Sequence, residues 1–260
     1  MKRICLAGGD VRMDEASLAL QNMGYETLRA KEALPRDLDA LVLPVRYSTD
    51  REYIAGTRIA LSEIGSALAP GGRVIGGMLP ADWIGCYDYM KDEAFLYENA
   101  RITAEGAIML LGNATRGTLY GSDVGVIGMG RIAEHLCSML GGIGARVTVY
   151  ARRPEALARA RALGACAVRF THALPDCVSA HGMLCNTVPH VLMDASLLDF
   201  VSRDTVLLEL ASAPGGFDME VVRAKGLCFV DGQGIPGKYA PRAAGRLIAQ
   251  YVASIARGDR

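Results

Sequence analysis

Apolar positions follow two different periods along this chain. Short apolar runs, which are typical of buried strands, alternate with stretches whose apolar residues recur every three or four positions, as on one face of a helix. This alternation predicts βαβ units around a parallel sheet. In the first part of the chain it predicts strands at 4–7, 27–29, 39–43 and 73–75, and helices at 15–23 and 57–68.

A second series of the same kind begins at Asp123. The helix after its first strand has one apolar face, because its apolar residues are spaced by three and four. Two such series predict an α/β fold with two Rossmann-like, doubly wound parallel-sheet domains. The predicted strands are 124–127, 146–150, 183–186, 206–210 and 227–230, and the apolar face consists of Ile132, Leu136, Met139, Leu140 and Ile143.

Two predicted helices, at about 105–118 and 243–257, belong to neither series. Because they flank the second series, we expect them to bridge two domains. The N-terminal, substrate-side domain is then 1–104, with the C-terminal helix at 243–260 packed back on it. The nucleotide-binding domain is 105–242 and includes the first bridging helix.

The composition is that of a globular protein without excess charge. Hydrophobic residues make up 51% of the chain and charged residues 22%, with 28 basic residues against 28 acidic ones. Nucleic acids and anionic membranes usually select for a basic excess or a basic cluster, so we expect neither as a partner.

Cysteine usage and the N-terminal sequence favour the cytoplasm. Seven cysteines, an odd number without any C-x-x-C, argue against a disulfide framework or a zinc knuckle, and we expect no metal. Cys5 and Cys185 lie in apolar runs and are predicted to be buried. The first apolar run is too short for a signal peptide, and no stretch approaches the roughly 18 apolar residues of a membrane span.

The segment 124–133 carries a G-x-G-x-x-A pattern between a predicted strand and the amphipathic helix. In a dinucleotide-binding loop Gly128 permits the tight turn, Gly130 lets the backbone approach a pyrophosphate, and Ala133 allows close packing of helix and strand. The helix N-terminus offers free N–H groups to the phosphates. The candidate cofactor residues here are Gly128, Met129, Gly130, Arg131 and Ile132.

The end of the next predicted strand favours NADP over NAD. An NAD site usually has an acidic residue there for the ribose hydroxyls, but 145–154 contains none. Arg152 and Arg153 stand there instead, and guanidinium groups bind a 2′-phosphate well. The alternative is that one of them is only a solvated charge at a helix start.

Several segments resemble the family of the dipicolinate synthase A subunit. The resemblance is strongest from 105 to 245 and thin from 50 to 98. It is carried by Gly8-Gly9-Asp10 with Arg12, by 43–45, 105–110, 121–124, 186–189, 210–218 and 234–237, and by 240–245.

The resemblance implies a sporulation enzyme. Such an enzyme oxidises dihydrodipicolinate, the product of dihydrodipicolinate synthase, to pyridine-2,6-dicarboxylate. It acts together with a flavoprotein-like second subunit. We also expect this chain to form a homo-oligomer. Further cofactor contacts are expected at Asn186, Thr187, Val188, Pro189, Ala211, Ser212 and Gly234.

Three positions depart from that family. This chain has Ala213 where the family usually has arginine, Glu209 where it has aspartate, and Arg242 where it has lysine. An arginine at position 213 would suit a substrate carboxylate, so its absence bears on the substrate.

A dicarboxylate substrate needs basic groups and a proton acceptor. Arg12 and Arg46 follow predicted strands and are candidates for the carboxylates, with a surface role as the alternative. Glu105, predicted in the first turn of a bridging helix, is either a general base or a complement to the helix dipole beside a Thr103 cap. His190 is a candidate for proton transfer or a surface residue.

Two other functions remain open. One is dehydrogenation of another small amino, imino or 2-hydroxy acid, since alanine dehydrogenase and the 2-hydroxyacid dehydrogenases share the two-domain plan. The other is a non-catalytic nucleotide-binding subunit that supports a flavoprotein.

Overall fold

The computed structural model describes residues 3–83, 85–171 and 178–259. The chain forms two compact units. The first consists of Met1–Asn99 and Pro236–Arg260, and the second of Ala100–Ile235.

The helices of the described residues are of uneven length, and two short 3₁₀ helices occur at Leu61–Glu63 and Tyr89–Lys91. The helices are α1 (Val11–Asn22), α2 (Ile64–Ala67), α3 (Glu93–Ala114), α4 (Arg131–Ile143), α5 (Pro154–Ala162), α6 (Ala195–Leu198), α7 (Met219–Lys225), α8 (Ile235–Tyr239) and α9 (Pro241–Arg257). The described helices include none that is long and apolar enough to cross a bilayer.

The first unit contains a parallel sheet. Its described strands are β1 (Arg3–Ala7), β2 (Glu26–Ala30), β3 (Leu38–Val42), β4 (Leu68–Gly76) and β5 (Tyr87–Asp88). They lie in the order β2-β1-β3-β4-β5, and Cys5 pairs with Leu28 on one side and Leu41 on the other. The strand order reverses between β1 and β3, which is the position where doubly wound sheets bind ligands.

The second unit contains another parallel sheet. Its described strands are β6 (Asp123–Ile127), β7 (Arg146–Ala151), β8 (Cys166–Arg169), β9 (Met183–Asn186), β10 (Val206–Glu209) and β11 (Cys228–Asp231). They lie in the order β11-β10-β9-β6-β7-β8, the arrangement of a dinucleotide-binding domain. The predicted fold class, two Rossmann-like parallel-sheet domains, is confirmed.

The core of the first unit occupies both faces of its sheet. Leu6 faces α1 and α9, whereas Cys5 faces the opposite side, as the two-residue period of a strand requires. Helix α9 lies against α1, where a Cβ on Gly245 would come within 2.5 Å of the Glu15 Cβ.

The second unit is also packed on both faces. Val126 points towards Leu136 and Leu140 of α4, and Ile127 towards the other face. Ile143 was predicted on the apolar face but is 38% exposed as the last residue of α4.

Both cysteines predicted to be buried, Cys5 and Cys185, are fully enclosed. Burial disfavours the thiolate and raises the pKa of Cys5 to about 11, despite the charge of Arg29. These thiols are therefore packing groups.

The predicted helix at 57–68 is wrong. The chain turns at 54–57, where the Thr57 hydroxyl donates to the Ile54 carbonyl and accepts the Ile59 N–H. Residues 57–60 are therefore not helical, and only the short 3₁₀ helix and α2 follow. Strand β4 then begins at Leu68 rather than at 73.

The predicted start of a helix at 105 is also wrong. Helix α3 begins at Glu93, where the Asp92 carboxylate accepts the backbone N–H of Phe95 at 2.8 Å. Phe95 then packs against Tyr89 with ring centroids 4.7 Å apart, which anchors the first turn. Thr103 is therefore not a helix cap, and Glu105 lies in the helix interior.

Candidate functional site

The glycine loop joins β6 to α4 in the second unit. Gly128 has a left-handed φ of 97°, and a Cβ there would lie 2.5 Å from the Thr187 Oγ1, so only glycine fits. Gly130 precedes the first turn of α4, and apart from its two chain neighbours no described heavy atom lies within 4 Å of where its Cβ would be. Ala133 is fully buried against the sheet. The loop therefore leaves open space beside the N-terminus of α4, where a pyrophosphate would bind.

A concavity of about 340 Å³ opens beside this loop. The end of β7, the start of α5 and the loop after β9 complete its walls. The predicted cofactor residues that line it are Gly128, Met129, Gly130, Arg152, Arg153, Thr187, Val188 and Pro189.

The charge of this concavity is positive. Arg152 and Arg153 are exposed on its rim, and none of the described residues that line it is acidic. Arg131 is exposed on α4 and Ile132 packs partly on the core, so these two predicted residues lie outside the lining.

Asn186 and Glu209, both buried, join the loops after β9 and β10. The Asn186 amide donates to the Glu209 carboxylate at 2.6 Å and to the Val188 carbonyl at 2.8 Å, and it accepts the Val188 N–H. Glu209 also accepts the N–H groups of Ala211 at 2.9 Å and Gly216 at 2.7 Å. Asn186 thus positions Val188 from within the protein, and its predicted contact with a cofactor stays a prediction.

Glu209 is a site residue that the sequence did not identify beyond its departure from the family pattern. A Cβ on Gly216 would lie 2.3 Å from the Asn186 side chain, so this glycine allows the network to close. Ala211 is buried beside the network, whereas Ser212 and Gly234 are exposed after β10 and β11. Their predicted contact with a cofactor stays a prediction.

Arg12, in the first turn of α1, forms an ion pair with the cap residue of the same helix, Asp10. Its Nε and Nη2 donate to the Asp10 carboxylate at 2.7–3.0 Å, and a Cβ on Gly237 would lie 3.0 Å from its Nε. Partial burial would raise the pKa of Asp10, but the Arg12 guanidinium outweighs this and holds it below the ordinary value.

Arg46, the other predicted carboxylate ligand, is exposed in the loop after β3 and lines a concavity of the first unit. Arg51 lines the same concavity but was not predicted as a site residue. The Ser48-Thr49-Asp50 run before it, typical of a side-chain turn at a strand end, was the available indication.

The two predicted proton-transfer residues are exposed. Glu105 is 66% exposed on α3 and pairs with Arg101 at 3.6 Å, an interaction of adjacent helical turns. His190 is exposed after β9, where its N–H donates to the Val188 carbonyl at 2.9 Å. Neither lines the concavity beside the glycine loop or the one that Arg46 lines.

A buried histidine lies in the second unit. The Nε2 of His181 and the Tyr150 hydroxyl are 2.6 Å apart, and the Nδ1 of His181 has no hydrogen-bond partner among the described residues. Burial lowers the pKa of His181, although Asp123 opposes this. His135 lies on α4, and His172 is outside the described residues.

Fold and site together define a class. The chain has two Rossmann-like domains, and the second carries the glycine loop, strand order and positive concavity of a nicotinamide-nucleotide-binding dehydrogenase domain. Residues 97–214 match the family described as D-isomer specific 2-hydroxyacid dehydrogenase, NAD binding domain.

The chain is similar in sequence to the dipicolinate synthase A subunit of Bacillus subtilis (strain 168), with 32% identity over 167 residues. The matched segment spans 64% of this chain and 56% of that relative. The resemblance noted in the sequence is thus confirmed.

The fold is shared with crystal structures of that protein from two bacilli. For dipicolinate synthase, A chain, from Bacillus subtilis, the TM-score is 0.85 at 24% identity, covering 99% of this chain and 96% of that one. For the corresponding protein from Bacillus halodurans, the TM-score is 0.82 at 23% identity, covering 98% and 97%. The family match over residues 97–214 supports a nicotinamide-nucleotide-binding dehydrogenase domain in the second unit.

Proposed function

We propose that this chain is an NADP-dependent dehydrogenase that oxidises dihydrodipicolinate to dipicolinate during sporulation, in the cytoplasm and together with a flavoprotein-like second subunit. Its sequence similarity to the dipicolinate synthase A subunit supports the choice of substrate and of a partner subunit. The observation that carries the cofactor choice is the positive concavity beside the glycine loop.

NADP fits this concavity in charge. The 2′-phosphate is the group that distinguishes NADP from NAD, and it lies near the end of the second strand of such a domain. Here that position has Arg152 and Arg153 and no acidic neighbour in the described lining, so the phosphate meets cations where the NAD pattern has a carboxylate.

The reaction removes a hydride and a proton. A bound nicotinamide would supply the redox chemistry as the hydride acceptor, and loss of the proton to a base would complete the aromatic ring. This chain contributes by holding the nucleotide on the glycine loop and by fixing Val188 through Asn186 and Glu209. Glu105 and His190 stay candidates for accepting the proton.

The cofactor assignment is tested by binding titrations with NADP and NAD. We expect the parent chain to prefer NADP, and Arg152→Asp to remove most of the preference, because a charge-assisted phosphate contact contributes about 1.5–3 kcal/mol. Arg161→Asp, on the exposed side of α5, is the control with the same charge change. Equal affinities for NADP and NAD in the parent chain would exclude the NADP assignment.

The reaction is tested with freshly generated dihydrodipicolinate and NADP, with and without the flavoprotein-like partner. Formation of dipicolinate and NADPH in equal amounts is the expected result. Turnover only when the partner supplies its own redox centre would instead favour the non-catalytic, nucleotide-binding subunit.

The match of residues 97–214 to a 2-hydroxyacid dehydrogenase domain favours one alternative, oxidation of a different small acid. Assays with 2-hydroxy and amino acids separate the two. Faster turnover of such an acid than of dihydrodipicolinate would replace the proposed substrate and retain the dehydrogenase role.

A further inference from the structure

A second concavity, of about 610 Å³, lies in the first unit. It is bounded by the loops that follow the neighbouring strands β3 and β4. Arg46 and Arg51 come from the first loop, and Met78 and Asp82 from the second. Open α/β sheets bind ligands outside the carboxyl ends of their strands, which is where this concavity lies.

The backbones of the two loops are in direct contact. The Gly77 N–H donates to the Pro44 carbonyl at 3.3 Å, and a Cβ on Gly77 would lie 2.5 Å from the Val45 carbonyl oxygen. The hydroxyl of buried Tyr89 donates to the Leu43 carbonyl at 3.0 Å. The walls of the concavity are therefore preformed.

Two residues of this concavity have an unfavourable backbone conformation. Arg51 has a φ of 68° and Met78 a φ of 58°, in the left-handed region that suits glycine. The remaining described non-glycine residue with positive φ, Asp37, does not line the concavity. Strain of this kind persists only where surrounding contacts impose it, and it clusters at ligand sites.

Hydrogen bonds hold Arg51 in that conformation. The Ser48 hydroxyl accepts the Arg51 N–H at 2.9 Å and donates to the Asp50 Oδ1 at 3.1 Å. The same carboxylate oxygen accepts the N–H groups of Glu52 and Tyr53 at 2.9 and 3.0 Å, and these backbone donors lower the pKa of Asp50. The turn therefore stays formed while the Arg51 side chain lines the concavity.

The charges here are available to a ligand. In the described part of the chain, neither Arg46 nor Arg51 forms an ion pair with a carboxylate, although Asp82 also lines the concavity. Arg12 differs, because Asp10 already neutralises it. The residues that line the concavity carry two guanidinium groups and one carboxylate, so the lining has a net positive charge.

We propose that Arg46 and Arg51 bind the carboxylates of a small planar dicarboxylate in this concavity. Tyr47, whose ring lies 5.5 Å from that of Trp83, adds an aromatic surface to the same wall for a flat ring. The choice of a pyridine dicarboxylate rests on the proposed function, but the site itself rests on the geometry of the first unit.

The test is calorimetric titration with pyridine-2,6-dicarboxylate, and with pyridine-2-carboxylate as the single-carboxylate comparison. Arg46→Gln and Arg51→Gln should each weaken dicarboxylate binding by about tenfold or more, which is ~1.4 kcal/mol. Arg58→Gln is the matched control, because Arg58 is also exposed in the first unit but lines a different concavity. It should bind within about twofold of the parent chain.

Arg51→Gly separates charge from backbone strain. It should lose binding as Arg51→Gln does, while its melting temperature stays equal to that of the parent or rises. Unchanged binding in Arg46→Gln and Arg51→Gln, or equal weakening in Arg58→Gln, would overturn the proposal, as would a parent chain that retains nucleotide binding but does not bind the dicarboxylate.

The outcome is independent of the proposed reaction. A chain that binds the dicarboxylate through both arginines but does not oxidise dihydrodipicolinate keeps this site and loses the proposed function. A chain that oxidises dihydrodipicolinate with unchanged KM in both variants keeps the function and loses the site.

Discussion

Replacing Glu209 by glutamine should destabilise the second unit, although the side chain keeps its shape. All its hydrogen-bond partners are donors: the Asn186 amide and the N–H groups of Ala211 and Gly216. A glutamine can accept at only one of the two oxygen positions, so its own NH₂ must face a donor. One buried bond is lost at about 1–3 kcal/mol, and the other two weaken from charge-assisted to neutral.

Removing a buried charge also returns part of its desolvation cost, so the expected net loss is about 2–3 kcal/mol. Denaturant unfolding followed by circular dichroism measures it, with Glu220→Gln as the control, because Glu220 is exposed in the first turn of α7. Nucleotide affinity should fall as well, since Asn186 positions Val188. Changes at the surface usually alter the free energy of unfolding by no more than about 0.5 kcal/mol. If Glu209→Gln alters it by no more than that, the network does not have the assigned role.

Two further predictions concern packing and pH. Gly245→Ala should destabilise the first unit by about 1–3 kcal/mol, because the new Cβ would overlap Glu15 on α1; Gly112→Ala, with no neighbour within 4 Å, should be neutral or stabilising in the same denaturant titration. The pKa of His181 lies below its ordinary value of 6.5, so the unfolded chain binds the proton first, and stability present above about pH 6.5 should be lost progressively below it. His181→Gln keeps a hydrogen-bonding group beside Tyr150, and its melting temperature should fall less than that of the parent as the pH drops below about 6.5. An equal fall would contradict a role of His181 in the loss of stability.

The strands that the sequence predicted well are those buried on both faces. The prediction at 183–186 coincides with β9, and those at 124–127 and 206–210 differ from β6 and β10 by one residue at an end. A strand that is buried on both faces has a continuous apolar run in its sequence, which is easily recognised. Strand β8 at Cys166–Arg169 was not predicted. It lies at the edge of the sheet, and its first and last residues are exposed, so it has no continuous apolar run.

Helix starts were less predictable, because they depend on side-chain caps and tertiary contacts. The first turn of α3 is fixed by Asp92 and by Phe95 packing on Tyr89, a contact that is not visible in the local sequence. In the candidate site, the glycine loop followed from the spacing of its glycines between a predicted strand and an amphipathic helix. The role of Glu209 did not, since it depends on two loops that meet only after β9 and β10 have paired.

The arginines show how position in the sequence and availability in the structure differ. Arg12 follows the first strand, where a ligand is expected, but its guanidinium is neutralised by Asp10. Arg51 comes later in a loop, yet a network of hydrogen bonds holds its backbone in a conformation that it would not adopt alone. A guanidinium already paired contributes little to a ligand, because a new carboxylate has to displace the old one. We therefore propose that Arg46 and Arg51 recognise the acid and that the arginines after β7 recognise the nucleotide phosphate, since each pair lines a concavity of its own unit.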